Sequence, residues 1–208
     1  MGGALMPREI SQSKLVAAEG KSTKLVIEHH LRYLQVRGIQ VEDFKGHPGF
    51  AAQIRAVRKL SGFEQNVRSF AVIRDTEQNA AAAFQSVCDA LRDAGLPVPP
   101  EPGARAANGI EVAVFILPNN RDDGMLETLC VQSVVDDPAM DCVQKYFECV
   151  HSKKLPGPTS VPKAQAQAFL ASRPVAGLAV GWAAADEHRY WNWEHGAFAP
   201  LREFLRAI

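Results

Sequence analysis

Residues 14–24 have the sequence KLVAAEGKSTK, in which a short apolar run is followed by one acid, one glycine and a polar segment. This pattern predicts a buried strand over Lys14–Ala18 that presents Glu19 from a tight turn at Gly20. Ligands of open α/β sheets bind outside the carboxyl ends of the strands, so Glu19 is expected at the mouth of a site. The segment is not a phosphate-binding loop, because that motif needs a glycine at position 15, where this chain has leucine.

The composition is that of a globular protein without an excess of either charge. The chain has 208 residues, of which 47% are apolar, and its 23 basic residues balance its 23 acidic residues. This length fits one compact domain with elaborations. The zero net charge excludes a strongly cationic coat for nucleic acid, so any contact with nucleic acid requires a local patch.

The four cysteines do not form a C-x-x-C pair, which argues against a zinc ribbon. Cys142 and Cys149 are seven residues apart, and we expect them to be small buried thiols on one helix face. The sequence shows no signal peptide and no apolar run long enough to span a bilayer. These features predict a reduced, cytoplasmic protein that does not associate with a membrane.

Alternating strand and helix patterns predict an α/β fold with a mostly parallel sheet flanked by helices. The predicted strands cover residues 14–18, 39–44, 69–74 and 110–117. The predicted helices run from Ser22 or Thr23 to about Val36, and over 50–60, 80–94, 125–129, 138–151, 163–172 and 197–208. Residues 96–109 contain four prolines and two glycines, which predict a loop.

We divide the chain into three parts on this basis. Residues 1–13 are expected to form a flexible N-terminus, and residues 14–135 an α/β core. Residues 136–208 are expected to form a C-terminal helical and aromatic elaboration packed on that core. The aromatic residues of this tail could stack nucleic-acid bases, but packing against the core is the commoner use of such a cluster. His29 and His30 lie in the first predicted helix, where we expect one to face solvent and neither to be catalytic.

Acidic residues follow three of the predicted strands. They are Glu19 after the first strand, Asp75 and Glu77 after the third, and Asp122, Asp123 and Glu127 after the fourth. Carboxylates gathered at one sheet edge repel one another unless a cation lies among them, and carboxylate oxygens are ligands for Mg²⁺. Such a site suits phosphoryl transfer. The alternative is that these acids cap helix N-termini and need no metal.

The Glu19-Gly20 pair and the Asp75-Thr76-Glu77 segment together resemble the Toprim fold. That fold is shared by topoisomerases, bacterial primases, RecR-type proteins and the overcoming-lysogenization-defect (OLD) nucleases. Two further segments, LPNNRDDGMLE at 117–127 and PKA at 162–164, are similar to a small stand-alone Toprim-related group. The resemblance extends from Leu15 to the end of the chain and implies a Toprim-like sheet.

The resemblance also implies a role for each matching residue. Glu19 would be a metal ligand or a general acid/base, and Asp75 would bind the metal. Glu77 stands where the family usually has a second aspartate, and Glu127 matches a further acid of the OLD-type nucleases. Lys163 matches their late lysine, which would stabilise charge on the scissile phosphate. The implied cofactor is Mg²⁺ or Mn²⁺.

The resemblance implies a Mg²⁺-dependent nuclease of the OLD type, acting on DNA or RNA. A separate partner ATPase, a role in defence and a homo-oligomeric state are further expectations of the same kind. Two departures support an alternative, a non-catalytic Toprim module that binds nucleic acid or a protein. Glu77 replaces an aspartate, and Ser22 and Thr23 stand where OLD-type domains usually carry another acid.

Overall fold

A five-stranded sheet forms the centre of the fold in the computed structural model, which describes residues 9–43, 50–76 and 78–208. The strands are β1 (Lys14–Ala18), β2 (Ile39–Asp43), β3 (Ser69–Asp75), β4 (Arg105–Asn108) and β5 (Ile110–Leu117). Their order is β2-β1-β3-β5-β4. The first four strands in this order are parallel, and β4 pairs antiparallel with β5 at the edge. The predicted α/β class is therefore confirmed.

Eight α-helices flank this sheet in the described part of the chain. They are α1 (Lys21–Tyr33), α2 (Phe50–Arg58), α3 (Phe63–Asn66), α4 (Ala80–Asp93), α5 (Leu126–Ser133), α6 (Pro138–Ser152), α7 (Val161–Ala171) and α8 (Ala199–Ala207). Two short 3-10 helices, Trp182–Ala184 and Gly196–Phe198, lie between α7 and α8.

The sheet is covered on both faces, and β1 shows how the sequence produces this. Val16 and Ala18 belong to one hydrophobic cluster, whereas Leu15 and Ala17 belong to the other. Successive side chains of a strand point to opposite faces, so a strand buried on both sides is apolar throughout. The first cluster takes side chains from α1 and from α5–α8, and the second takes them from α2–α4.

Strand β4 lies within the segment that was predicted to be a loop, and that prediction was wrong. Its four residues are mostly exposed and show no alternation of apolar and polar side chains. Gly109, with φ of 77°, reverses the chain directly into β5. An ion pair between Arg105 and Glu111, 2.6 Å long, links the two strands. An exposed edge strand of this kind carries no periodic apolar signal.

Aromatic side chains of the C-terminal segment pack into the hydrophobic cluster on one face of the sheet. Trp191 and Trp193 are buried, and the indole N–H of Trp191 donates a hydrogen bond of 2.9 Å to the carbonyl of Val180. The ring of Trp191 stacks on Phe169 of α7. The division of the chain at residues 13 and 135 stays a prediction, while Ile10, within the segment expected to be flexible, is fully buried.

Two predictions about side-chain burial were wrong. Cys142 and Cys149 are exposed, because α6 buries only Met140 and Val143. The histidines of α1 are both buried, rather than one facing solvent. No helix in the described ranges is long and apolar enough to cross a bilayer.

Candidate functional site

Glu19 leaves the sheet at the carboxyl end of β1, directly beside β3. Its backbone N–H donates a 3.0 Å hydrogen bond to the carbonyl of Ile73, which continues the parallel pairing one residue beyond β1. Gly20 then takes φ of 89° and turns the chain into α1. This left-handed backbone favours glycine, since a Cβ would be strained there. The turn predicted from the sequence is thus present.

The start of α1 differs from the prediction in its cap. Gly20 occupies the N-cap position and no side chain caps the helix, whereas Ser22 or Thr23 was expected to do so. Thr23 is buried, and the backbone of Ser22 lies against Gly181, where an added Cβ would come within 2.9 Å of the Ser22 Cα. The first turn of α1 is therefore covered by the C-terminal segment.

The carboxylate of Glu19 forms an ion pair with Arg74, the penultimate residue of β3. The Glu19 Oε2 and Arg74 Nε atoms are 3.5 Å apart, with 34% of the glutamate side chain exposed. The Arg74 guanidinium also lies 4.4 Å from the centroid of the Phe50 ring in a cation–π arrangement. Sequence reasoning missed Arg74. The available signal was an arginine that interrupts an otherwise apolar strand next to an acid.

Asp75, the last residue of β3, lies in a more enclosed position than Glu19. One of its oxygens, Oδ1, accepts a 2.9 Å hydrogen bond from the backbone N–H of Leu126, the first residue of α5. Asp75 therefore satisfies one of the unpaired N–H groups at the start of that helix. This contact is the helix-capping role that the sequence left open as an alternative to metal binding.

The pKa of Asp75 is raised from its ordinary value of 3.8 to about 7. Burial is the main cause, because it removes water that would solvate the charged carboxylate. The negative charges of Glu19 and Glu127 raise this pKa further, whereas the Leu126 N–H and the positive charge of Lys163 lower it. Three of the other four predicted site residues, Glu19, Glu127 and Lys163, thus act electrostatically on Asp75.

Glu127 and Lys163 reach this sheet edge because the helices that carry them begin there. Glu127 is in the first turn of α5, and Lys163 is in the first turn of α7. The starts of the two helices meet where the Ser160 hydroxyl lies 3.8 Å from the sulfur of Met125. We call the set of Glu19, Asp75, Glu127 and Lys163 the acid edge. Glu77, the remaining predicted ligand, lies outside the described residues.

The donor chemistry of the acid edge fits a divalent cation. Carboxylate oxygens are the preferred ligands of Mg²⁺, and a cation would offset the mutual repulsion that contributes to the raised pKa of Asp75. Within the ranges 9–43, 50–76 and 78–208, however, no three His, Cys, Asp or Glu side chains are already grouped as a metal site. The metal-binding roles assigned to the acids stay predictions.

Two other loop acids have structural roles in the described chain. Asp123 Oδ1 accepts a 3.0 Å hydrogen bond from the N–H of Ala80 and so caps the start of α4. Asp122 accepts a 2.7 Å bond from the side chain of Asn119 within its own turn. The backbone N–H of Thr76 donates a 3.1 Å hydrogen bond to the carbonyl of Gly124, which connects the loop after β5 to the end of β3. The capping alternative therefore describes the contact of Asp123, whereas that of Asp122 stays within its own turn.

The histidine pair of α1 lies away from the acid edge, against the C-terminal aromatic residues. The His30 ring packs on Trp193 and Phe198 at centroid distances of 4.8 and 5.1 Å. Burial lowers the pKa of His30 to about 4, and that of His29 is also lowered. The lowered pKa values favour neutral imidazoles at both positions, and the His30 ring contributes to the packing of the C-terminal aromatic residues.

Comparison with protein families matches residues 13–208 to the family described as "Protein of unknown function (DUF3226)". A comparison with curated proteins finds no significant match. Similar solved structures include three of the C-terminal region of the Xanthomonas campestris pv. campestris OLD protein, phased with mercury, iodine and platinum.

These three structures are similar to the chain only at a distance. Their sequence identities are 9%, 10% and 11%, with TM-scores of 0.42, 0.42 and 0.40. The alignments cover 94%, 94% and 95% of this chain and 95%, 95% and 98% of the respective solved chains. No residue role is carried over from them, and membership of the Toprim family stays a prediction.

Proposed function

This chain belongs to the DUF3226 family of proteins of unknown function, and we propose that it hydrolyses phosphodiester bonds in DNA or RNA with a divalent cation. The observation that carries the proposal is the acid edge. The charges of Glu19, Glu127 and Lys163, which come from separate parts of the chain, all act on Asp75 at the carboxyl end of β3. That end is where α/β proteins bind ligands.

The residues that would hold Mg²⁺ or Mn²⁺ are Asp75, Glu19, Glu127 and Glu77. When bound, the cation supplies polarisation of the phosphate and a lowered pKa for water. The carboxylate of Glu19, one third exposed, would accept or release a proton. The ammonium of Lys163, at an exposed position in the first turn of α7, would balance the negative charge that develops on the phosphate.

A non-catalytic module that binds nucleic acid or a protein is the second candidate, and specific contacts favour it. Asp75 already bonds to the N–H of Leu126, and Glu19 already pairs with Arg74. Of the two positions where OLD-type domains carry another acid, Thr23 is buried and the backbone of half-buried Ser22 lies against Gly181. A separate ATPase, a homo-oligomeric state and a role in defence rest on the sequence resemblance alone.

Metal binding is tested by thermal unfolding with Mg²⁺ or Mn²⁺ against EDTA. A ligand that binds only the native state stabilises it by about 2.7 kcal/mol at a hundred times its Kd. We expect Tm to rise with metal for the wild type and not for Asp75→Ala. Asp89→Ala is the matched control, since Asp89 is an exposed acid that pairs with Arg92 on α4. An equal rise for Asp75→Ala, or none for the wild type, contradicts the site.

Catalysis is tested by nicking of plasmid and single-stranded substrates with Mn²⁺, with Asp75→Ala as the blank. Lys163→Ala should abolish cleavage while the metal-dependent rise in Tm is kept. Lys163→Arg should restore cleavage only in part, because a planar guanidinium does not replace a compact ammonium. Lys145→Ala, on the exposed side of α6, is the control and should cut like the wild type.

The outcomes separate the two candidate functions. Metal binding without cleavage above the blank supports the non-catalytic module. Undiminished cleavage by Lys163→Ala would show that the role given to this lysine is wrong, even if the chain is a nuclease.

A further inference from the structure

Helix α6 packs weakly on the rest of the molecule despite its apolar composition. Of its 15 residues only Met140 and Val143 are buried, and both are in its first half. In its second half Tyr146 is 58% exposed, and Phe147 and Val150 are only partly buried. A helix with an apolar stripe normally buries that stripe against another element. The second half of α6 therefore presents an apolar face that the described chain leaves largely uncovered.

This face forms one wall of a groove with a volume of about 810 Å³. Tyr146, Phe147 and Val150 line it from α6, and Ala168 lines it from α7. Pro156 and Pro158, in the connection between the two helices, line its end. None of the residues that line the groove is charged. None of the four residues of the acid edge lines it.

The charges around the groove are arranged asymmetrically. Residues 138–172 contain four lysines and two acids, so this hairpin is cationic although the whole chain is neutral. The acids, Asp141 and Glu148, are each one residue from a groove-lining position, and adjacent residues on a helix do not face the same side. Helix α6 ends at Ser152, and the exposed Lys153 and Lys154 stand in the chain between two groove-lining residues, Val150 and Pro156. Two positive charges therefore flank the groove where α6 ends.

We propose that this groove binds an amphipathic helix of a partner protein, with large apolar side chains on one face and acidic residues beside them. An apolar groove between two helices suits a helical ligand anchored at i, i+3, i+4 and i+7. The apolar positions from Cys142 to Val150 extend over about 12 Å, which matches two turns of such a ligand. Acidic flanks would meet Lys153 and Lys154. A second copy of this chain would instead bring two cationic hairpins together.

The probe is a fluorescein-labelled peptide of 18 residues, designed with leucine and phenylalanine at helical spacing and glutamate on the flanks. Its binding to the full chain is followed by fluorescence anisotropy. We expect saturable binding that Val150→Asp weakens at least tenfold. The matched control is Val175→Asp, at a valine that is 43% exposed outside the groove, and it should bind like the wild type.

Two further variants make the test decisive. Tyr146→Ala, at a side chain already 58% exposed, should weaken binding and replaces Val150→Asp if that variant fails to fold. The double variant Lys153→Glu, Lys154→Glu should weaken binding of the acidic peptide and strengthen binding of a matching lysine-flanked peptide. This reversal distinguishes a site that selects its ligand by charge from an apolar surface that binds peptides non-specifically.

Three results would overturn the proposal. The first is no binding of the acidic peptide to the wild type, and the second is equal loss of binding in Val150→Asp and Val175→Asp. The third is a wild-type dimer in sedimentation velocity that Tyr146→Ala dissociates, since the occupant would then be a second copy of the chain.

Discussion

Glu19 and Asp75 occupy similar places in the sheet but very different surroundings. Each lies at the carboxyl end of a strand, and the two strands, β1 and β3, are parallel neighbours. Glu19 is one third exposed and pairs with Arg74, whereas Asp75 is enclosed and bonds to the N–H of Leu126. Burial raises the pKa of Asp75 to about 7. The strand thus determines where a carboxylate lies, and the elements packed around it determine its contacts and its pKa.

The raised pKa of Asp75 bears on the metal-binding role proposed for it. A carboxyl group with a pKa near 7 is only partly ionised at neutral pH. Its protonated form is a poorer metal ligand, since binding a cation needs the carboxylate. The comparison therefore predicts that metal binding at the acid edge strengthens as the pH rises through about 7.

The largest expected effect comes from Asp75→Asn measured at two pH values without metal. Because the folded pKa is raised above the unfolded one, the native state holds more protons, and the stability of the wild type falls as pH rises from about 4 to 7. Asparagine does not titrate and keeps an acceptor for Leu126. The variant should gain stability relative to the wild type between pH 5 and pH 8. Only the part of the shift between pH 5 and a pKa of about 7 falls in this window, which sets a ceiling of roughly 3 kcal/mol, and we expect less because the carboxyl group is partly solvated.

Urea unfolding at both pH values, with EDTA present, measures this difference. Asp89→Asn is the control, since Asp89 is an exposed acid outside the acid edge, and its effect should be nearly the same at both pH values. Equal destabilisation by Asp75→Asn at pH 5 and pH 8 would contradict this prediction. Asp75 would then act as an ionised helix cap, and its carboxyl group would not lower the stability of the protein as the pH rises.

A smaller effect, with opposite signs, is expected from two neighbours of Asp75. Glu19→Gln removes a negative charge that raises the pKa of Asp75, so that pKa should fall. Lys163→Met removes a positive charge that lowers it, so the pKa should rise. Both changes should be smaller than the effect of burial, which is the largest cause of the shift. The measurement is a carboxyl ¹³C NMR titration of Asp75.

Shifts of the same sign in the two variants would show that the substitutions rearrange the site rather than change its charge. The control is Glu148→Gln on α6. This acid is exposed and is not among the charges that act on Asp75, so its removal should leave the titration unchanged.

The smallest expected effect comes from the ion pair that Glu19 forms with Arg74. The pair between Glu19 and Arg74 is partly solvated, and exposed pairs contribute about 0.2–1 kcal/mol. A double-mutant cycle with Glu19→Gln and Arg74→Met should give a coupling energy in this range by urea unfolding. A coupling well above it would show that Arg74 holds Glu19 as firmly as a buried partner, and a metal would then have to displace it.

The identity of the main elements follows from the sequence because their signals are local. The apolar run of β1, the glycine after Glu19 and the helical spacing of α4 each depend on residues close together in the chain. Since the carboxyl ends of parallel strands share an edge, the same patterns also predict that Glu19 and Asp75 lie near each other. Strand β4 was missed because an exposed edge strand has no such pattern.

What surrounds each side chain was decided only by the tertiary structure. The charges of residues 19, 127 and 163 act on Asp75 although dozens of residues separate each of them from it, and no local pattern encodes those distances. Hydrophobic spacing shows that a helix has an apolar face but not which element covers it. Both histidines of α1 are therefore buried, whereas Cys142 and Cys149 of α6 are exposed. Desolvation and Coulomb energies depend on these through-space contacts, so the pKa of Asp75 and its pairing with Leu126 arise only on folding.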